Sequence, residues 1–190
     1  YQLVETKAPV GYAKADPTWI MLKGSASDKD YQAALTKAKD IVDGAEIIDD
    51  TKKDEIWVYD NRMTGKAVIN AEKVLAGGTF KEGQFSFALK DDKDRVLQTV
   101  TNDAMGNVSF NVDYNKADTY TYTISEVVPE GAENNVKDHI TYDRTQHKVT
   151  VKVDNGERNL VATVTYDNGS STPPTFTNRY STTLPEAGGA

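Results

Sequence analysis

Apolar and polar residues alternate at a period of two along most of this chain, yet three positions on the apolar phase are polar. Lys73 stands in phase with Ile69, Ala71 and Leu75; Glu126 follows Tyr120, Tyr122 and Ile124; Asn178 lies between Phe176 and Tyr180. Successive strand side chains point to opposite faces, so the spacing predicts that all three turn into a core. A buried amine, carboxylic acid and carboxamide are costly to keep unless they bond to one another. If they meet, a neutral amine can attack the amide carbon and expel ammonia, which leaves a covalent Lys–Asn cross-link. The same residues also fit an ordinary buried ion pair beside a strand-end asparagine, and the pattern alone does not choose between the two.

The alternation predicts a mainly β fold, with Ig-like antiparallel β-sandwich modules in tandem and one helix inserted in the first. Residues 1–63 open with a strand at Tyr1–Glu5 that runs into a turn-rich stretch, Lys7 to Tyr12, followed by a strand at Thr18–Leu22. Tyr31, Ala34, Leu35, Ala38, Ile41 and Val42 then recur at helical spacing, with Ser27 or Asp28 as N-cap and Gly44 as the stop. A strand at Glu55–Tyr59 closes the unit at Asn61. Residues 64–181 predict eight strands: Ala67–Leu75, Gln84–Lys90, Val96–Thr101, Asn107–Val112, Thr119–Val127, Lys148–Val153, Leu160–Tyr166 and Thr175–Tyr180. Turn residues separate them, as at Asn102–Asn107 and Asp154-Asn155-Gly156, and short strands with regular turns imply a two-sheet sandwich. Residues 182–190 are small and unpatterned and read as an extension.

Composition narrows the class. The 190 residues are enough for one large or two small domains with real cores. There is no cysteine, so no disulfide framework exists. A formal net charge of −7 argues against nucleic acid or an anionic membrane surface as partner. No apolar run reaches the roughly 18 residues of a membrane-spanning helix. The chain opens in mid-strand without an initiating Met, so it reads as a piece of a longer protein.

Several motifs resemble one group of proteins. Tyr1-x-Leu3-x-Glu5-x-x-Ala8-Pro9-x-Gly11-Tyr12 resembles the E-box strand of the collagen-adhesin B-type (Cna B-type) domains of Gram-positive surface proteins. Glu72 to Gly77, Gly83 to Leu89, Asn102-Asp103-x-x-Gly106-Asn107-Val108-x-Phe110, Tyr120 to Glu126, Ile140 to Asp143 and Phe176 to Tyr180 resemble the streptococcal pilin isopeptide linkage domain. Leu184-Pro185-Glu186-Ala187-Gly188 is similar to the LPxTG sorting signal read by sortase, with Ala187 where Thr is usual. The resemblance covers nearly the whole chain: residues 1–63 as the C-terminal part of a B-type sandwich, 64–181 as the linkage domain and 182–190 as the sorting tail.

The resemblance implies that Lys73 is the nucleophile, Asn178 the electrophile and Glu126 the acid that handles the proton. Burial lowers a lysine pKa and raises a glutamic acid pKa, so the amine can attack while a protonated Glu126 polarises the Asn178 carbonyl. In the first module Glu5 and Asn61 stand in equivalent phase, but Lys7 and Lys14 are misplaced for the missing amine, so no cross-link is expected in that half. The helix reads as a packed insertion, or more sharply as a partner-binding decoration. Sortase cleavage is expected between Ala187 and Gly188, joining Ala187 to a peptidoglycan or pilin amine.

No cofactor and no metal site are expected. His139 and His147 lack ligand spacing, and Asp91-Asp92-Lys93-Asp94 lacks the glycine and distal Glu of a calcium loop and reads as a hairpin turn. No phosphate loop or nucleophile elbow occurs, so a conventional enzyme is the least favoured class. The expected role is an extracellular, cell wall-anchored stalk or pilin subunit of a Gram-positive bacterium, with sortase and neighbouring pilins or peptidoglycan as partners. The alternative is the C-terminal stalk of an adhesin whose preceding domains bind a host ligand. Val58-Tyr59-Asp60-Asn61 is the nearest stretch to a YPKN-like polymerisation motif and lacks its lysine, so shaft, tip and basal positions stay open.

Overall fold

The computed structural model describes residues 1–22, 24–41, 47–49 and 61–182, with the side chains of 39–41 and 47–49 set aside. The chain divides into two compact units: Tyr1–Met63 with the hairpin tip Gly156–Asn159, and Thr64–Asn155 with Leu160–Ala190. The predicted strand over residues 55–59, the helix stop at Gly44 and the motif Leu184–Gly188 lie outside the described residues.

In the first unit, β1 (Gln2–Leu3) pairs antiparallel with β3 (Thr18–Met21), and β3 pairs in parallel with β4 (Ile47–Asp49). The helix α1 (Asp28–Ile41) lies between β3 and β4 in the chain and carries the crossover that parallel neighbours require. Ser27 caps it: its hydroxyl accepts the Asp30 N–H at 3.2 Å and donates to the Asp30 carboxylate at 2.6 Å. Tyr31 and Leu35 are buried against Trp19, Met21 and Ala38, and the Tyr31 hydroxyl donates to the Met21 carbonyl at 2.8 Å. Tyr31, Leu35 and Ala38 of the stripe read from the sequence thus form a packing face, whereas Ala34 is exposed; the side chains of Ile41 and Val42 lie outside the described residues. A second small sheet joins β2 (Tyr12–Ala13) to β5 (Asn61–Arg62). The turn into β2 closes through Tyr12 N–H to the Pro9 carbonyl at 3.1 Å, with Gly11 at φ +86°, a conformation that favours glycine.

The second unit is a sandwich of two five-stranded sheets. Its strands are β6 (Gly65–Ala76), β7 (Ser86–Lys90), β8 (Val96–Thr101), β9 (Asn107–Tyr114), β10 (Asp118–Glu126), β11 (Val136–Lys137), β12 (Ile140–Thr141), β13 (Gln146–Asn155), β14 (Leu160–Tyr166) and β15 (Thr175–Tyr180). One sheet runs β14-β13-β10-β7-β8 and the other β11-β12-β15-β6-β9. All eight predicted strands are present. The additions are β11 and β12, two-residue strands too short to show a period.

Tight turns make those short strands possible. Asn134 and Asn135, then Asp138 and His139, all take positive φ, the left-handed pairs needed by two successive two-residue hairpin turns. Asp91 closes the β7–β8 turn by accepting the N–H groups of Lys93 and Arg95, in keeping with the hairpin reading of that acidic run.

Between the sheets, Ile69, Phe85, Phe87, Leu89, Val108, Phe110, Ile124, Val149, Val151 and Phe176 are buried. The burial of β6 alternates along its whole length, as its sequence does. The topology adds one feature that alternation cannot encode. The first and last strands, β6 and β15, are parallel neighbours in the middle of one sheet, with Phe176 opposite Lys73 and Asn178 opposite Leu75.

Candidate functional site

Lys73, Glu126 and Asn178 are three of the four buried polar residues among those described, the fourth being Asn102. Lys73 and Asn178 come from the parallel pair β6 and β15, and Glu126 ends β10 in the facing sheet. The three meet. The Lys73 ammonium donates to Glu126 Oε2 at 2.9 Å, and Asn178 Nδ2 donates to Glu126 Oε1 at 2.8 Å. One carboxylate therefore holds the amine and the amide together, inside a pocket where the Lys73 and Glu126 side chains have no solvent exposure.

Aromatic rings wall the pocket. Lys73 Nζ lies 4.6 Å from the centroid of Phe85 and 5.9 Å from that of Phe87, and Phe87 packs on Phe176 at 5.3 Å between ring centres. This dry setting sets the acid–base balance. Desolvation pushes the Lys73 pKa down, against the opposing pull of Glu126. Desolvation likewise pushes Glu126 up, against its hydrogen bonds to Lys73 and Asn178. Both directions favour transfer of the proton from the amine to the acid.

Glu126 meets the nitrogen of the Asn178 amide, whereas the sequence reading had it polarise the carbonyl. The orientation is fixed by Asp143. Its backbone N–H, which can only donate, lies 2.8 Å from Asn178 Oδ1, so the amide oxygen must face it and Nδ2 must face Glu126. Asp143 ends one of the quoted motif stretches, but its part here is played by a backbone atom, and no side-chain pattern announces that.

A second set of residues places the amine; the sequence shows it as a turn and as one stretch of the linkage-domain resemblance. Gly106 accepts the Lys73 N–H at 2.7 Å and sits at φ +94°. A Cβ there would collide with the Lys73 carbonyl oxygen, so only glycine allows β6 to approach so closely. Asp103 holds this turn by accepting the N–H groups of Met105 and Asn107. Buried Asn102 accepts the Phe85 N–H at 2.8 Å and donates to the carbonyls of Lys81 and Asp103, fixing the ring beneath the amine. The run 102–107 thus supports both Lys73 and its apolar wall.

The first-unit candidates are placed differently. Glu5 lies beyond the end of β1, is half-buried and accepts the Ala15 N–H at 2.9 Å; Asn61 is exposed on β5 opposite Ala13. Among the described residues no hydrogen bond joins Glu5 to Asn61. His147 bonds Asp167 through Nδ1 at 2.6 Å and packs edge-on against Phe176, and no cluster of metal-ligating side chains occurs among the described residues.

The model of the FctA family, the Spy0128-like isopeptide containing domain, matches residues 69–181, more than half of the chain. The chain belongs to the FctA family. No curated protein matches. Among solved structures, the FctA-family chain is similar to the major pilin of Streptococcus pyogenes, at 19% identity and TM-score 0.41, over 60% of this chain and 50% of that one. The major pilin T-13 of the same organism gives 21% identity and TM-score 0.42, over 64% and 54%. The shaft pilin SpaA of Lactobacillus rhamnosus GG gives 15% identity and TM-score 0.38, over 97% and 65%. The chain spans about half the length of the streptococcal pilins it matches.

Proposed function

We propose that this chain is a load-bearing part of a Gram-positive surface pilus or stalk, whose second unit closes on itself through a Lys73–Asn178 isopeptide bond. The observation that carries the reading is Glu126, which in a solvent-free pocket holds the amine by one oxygen and the amide nitrogen by the other. Membership of the FctA family supports it.

The chemistry runs with the groups in place. The Lys73 ammonium gives a proton to Glu126, which burial favours on both sides. The neutral Nζ bonds to Asn178 Cγ, and Glu126 delivers its proton to Nδ2 as the Cγ–Nδ2 bond breaks. Ammonia leaves, and the surplus proton on Nζ returns to Glu126. The products are a secondary amide, one ammonia and a neutral Glu126.

A bond between the first and last strands closes a loop of roughly a hundred residues, which by the disulfide analogy stabilises by about 4–5 kcal/mol. It also carries tension directly from β6 to β15. Residues 184–188 would be the sorting signal, and sortase would join Ala187 to an amine of peptidoglycan or of a neighbouring pilin. The first unit would be the C-terminal part of a B-type domain, with Glu5 and Asn61 as candidate equivalents of the acid and amide and no cross-link expected in this half.

Proteolytic mapping tests the central step. The reading expects one branched peptide that joins the segment containing Lys73 to the segment containing Asn178. Recovery of both as separate linear peptides from folded protein would overturn it. For the tail, incubation with sortase and an amine should release residues 188–190.

A further inference from the structure

We infer that the backbone N–H of Asp143 is the oxyanion donor of this reaction, and that the Asp143 carboxylate is the clamp that aims it. The inference rests on the cross-linking reading above and assigns the activation of the carbonyl, which Glu126 is turned away from.

The geometry is built by β12. His139 to Thr141 extend the sheet beside β15, with Ser181 N–H on the His139 carbonyl, Ile140 opposite Tyr180 and Thr141 opposite Arg179. Past Thr141 the ladder stops, and the next link is from the Asp143 N–H to the side chain of Asn178. The Asp143 carboxylate makes that link rigid. One oxygen accepts the Thr145 N–H at 2.9 Å; the other accepts the N–H of Thr177, the residue before the electrophile, at 2.9 Å. Tyr142 adds a bond from its N–H to the Asn135 carbonyl and packs edge-on against Phe85, the ring under Lys73. Donor and electrophile are therefore tied to one another through a single side chain. Although burial opposes it, these bonds hold the Asp143 carboxyl below its usual range, so the clamp stays ionised.

As Nζ bonds to Cγ, the π pair of the carbonyl moves onto Oδ1, where a donor already stands at 2.8 Å. A preset donor of this kind needs no reorganisation when the charge develops. When the pair returns, the Cγ–Nδ2 bond breaks and Nδ2 leaves as ammonia with the proton of Glu126. The labour divides cleanly: Asp143 serves the oxygen of the amide and Glu126 serves its nitrogen.

The test follows ammonia loss by intact mass in full chain made by cell-free synthesis. Rates are expressed per folded molecule, with folding read from amide exchange in β6, β10 and β15. Asp143→Pro removes the N–H and should slow the reaction roughly 10²–10³-fold, the usual cost of one oxyanion donor. Asp143→Ala keeps the N–H without its clamp and should slow it about tenfold, with Asp143→Asn in between because the amide keeps one acceptor. A folded Asp143→Pro chain that reacts at the wild-type rate overturns the inference.

If proline prevents folding, the alanine variant decides. The Asp143 ¹⁵N to Asn178 ¹³Cγ coupling across the hydrogen bond is then read in the unreactive Lys73→Met chain, with and without Asp143→Ala. Coupling present with Asp143, weakened by alanine and matched by the slower reaction supports the clamp; any other combination overturns it. Failure of the cross-linking reading itself looks different, since wild type would then lose no ammonia at all.

Discussion

Glu5 and Glu126 both continue the apolar phase of a strand-like run, and they end in different surroundings. Glu126 closes a nine-residue strand in the middle of a five-stranded sheet, and a second sheet covers it. Glu5 follows a two-residue strand and accepts one backbone N–H from Ala15 at a half-buried place. The amides differ in the same way: Asn178 is fully buried between Phe176 and the Lys73 side, while Asn61 is exposed. Phase gives the direction of a side chain, and only a facing layer turns direction into burial. Burial then shifts the pKa of Lys73 and Glu126 toward the neutral forms that the chemistry requires.

The largest test of this contrast is Lys73→Ala. It should remove the cross-link, at about 4–5 kcal/mol. That is a large share of the stability of a typical domain. Thermal unfolding of the second unit should drop steeply, while the first unit, followed through Trp19, should be unchanged.

Gly106→Ala sharpens the contrast from the backbone side. Strain at φ +94° and the collision with the Lys73 carbonyl should cost about 1–3 kcal/mol before cross-linking and slow ammonia loss as β6 is displaced. Denaturant titration of the Gly106→Ala, Glu126→Ala double variant against Glu126→Ala reads the first effect without the cross-link.

A pH titration separates burial from pairing. In Lys73→Met, Glu126 keeps a pKa raised by burial, so the folded chain holds a proton that the unfolded chain has released. The Glu126 contribution to stability should be fully present below the ordinary carboxyl value of 4.5 and be lost as pH rises through the elevated folded value. The slope should approach about 1.4 kcal/mol per pH unit inside that window. A flat profile would mean that water reaches Glu126.

The smallest effects belong to the first unit. Glu5→Gln should cost about 1 kcal/mol, the worth of one hydrogen bond, and Asn61→Ala about 0.5 kcal/mol or less, as for an exposed site. A loss of several kcal/mol from either would break the contrast and show that this unit buries its own polar pair.

The residues themselves show how far the sequence could be read. Strands such as β6 and β10 were legible because each buries one face, β6 along its whole length and β10 from Tyr122 onward, so hydrophobicity repeats at two. The α1 helix was legible for the same reason at its own period. The parallel pairing of β6 with β15 was not, because neighbour order is set by packing between segments far apart in the chain. The βαβ path of the first unit was missed because β4 is three residues long. Lys73, Glu126 and Asn178 stood out as polar breaks in apolar phases, whereas Asp143 meets Asn178 through a backbone N–H that follows two Asn- and Asp-rich turns. Gly106 carries its signal as a glycine, but its target, the Lys73 carbonyl, can be known only from the fold.

The most direct test of the central claim is the intact mass of the purified chain beside that of Glu126→Ala. The account predicts wild type lighter than its calculated mass by one ammonia, and the variant at full mass. Folded wild type at full mass would contradict it, leaving Lys73, Glu126 and Asn178 as a buried hydrogen-bonded cluster and nothing more.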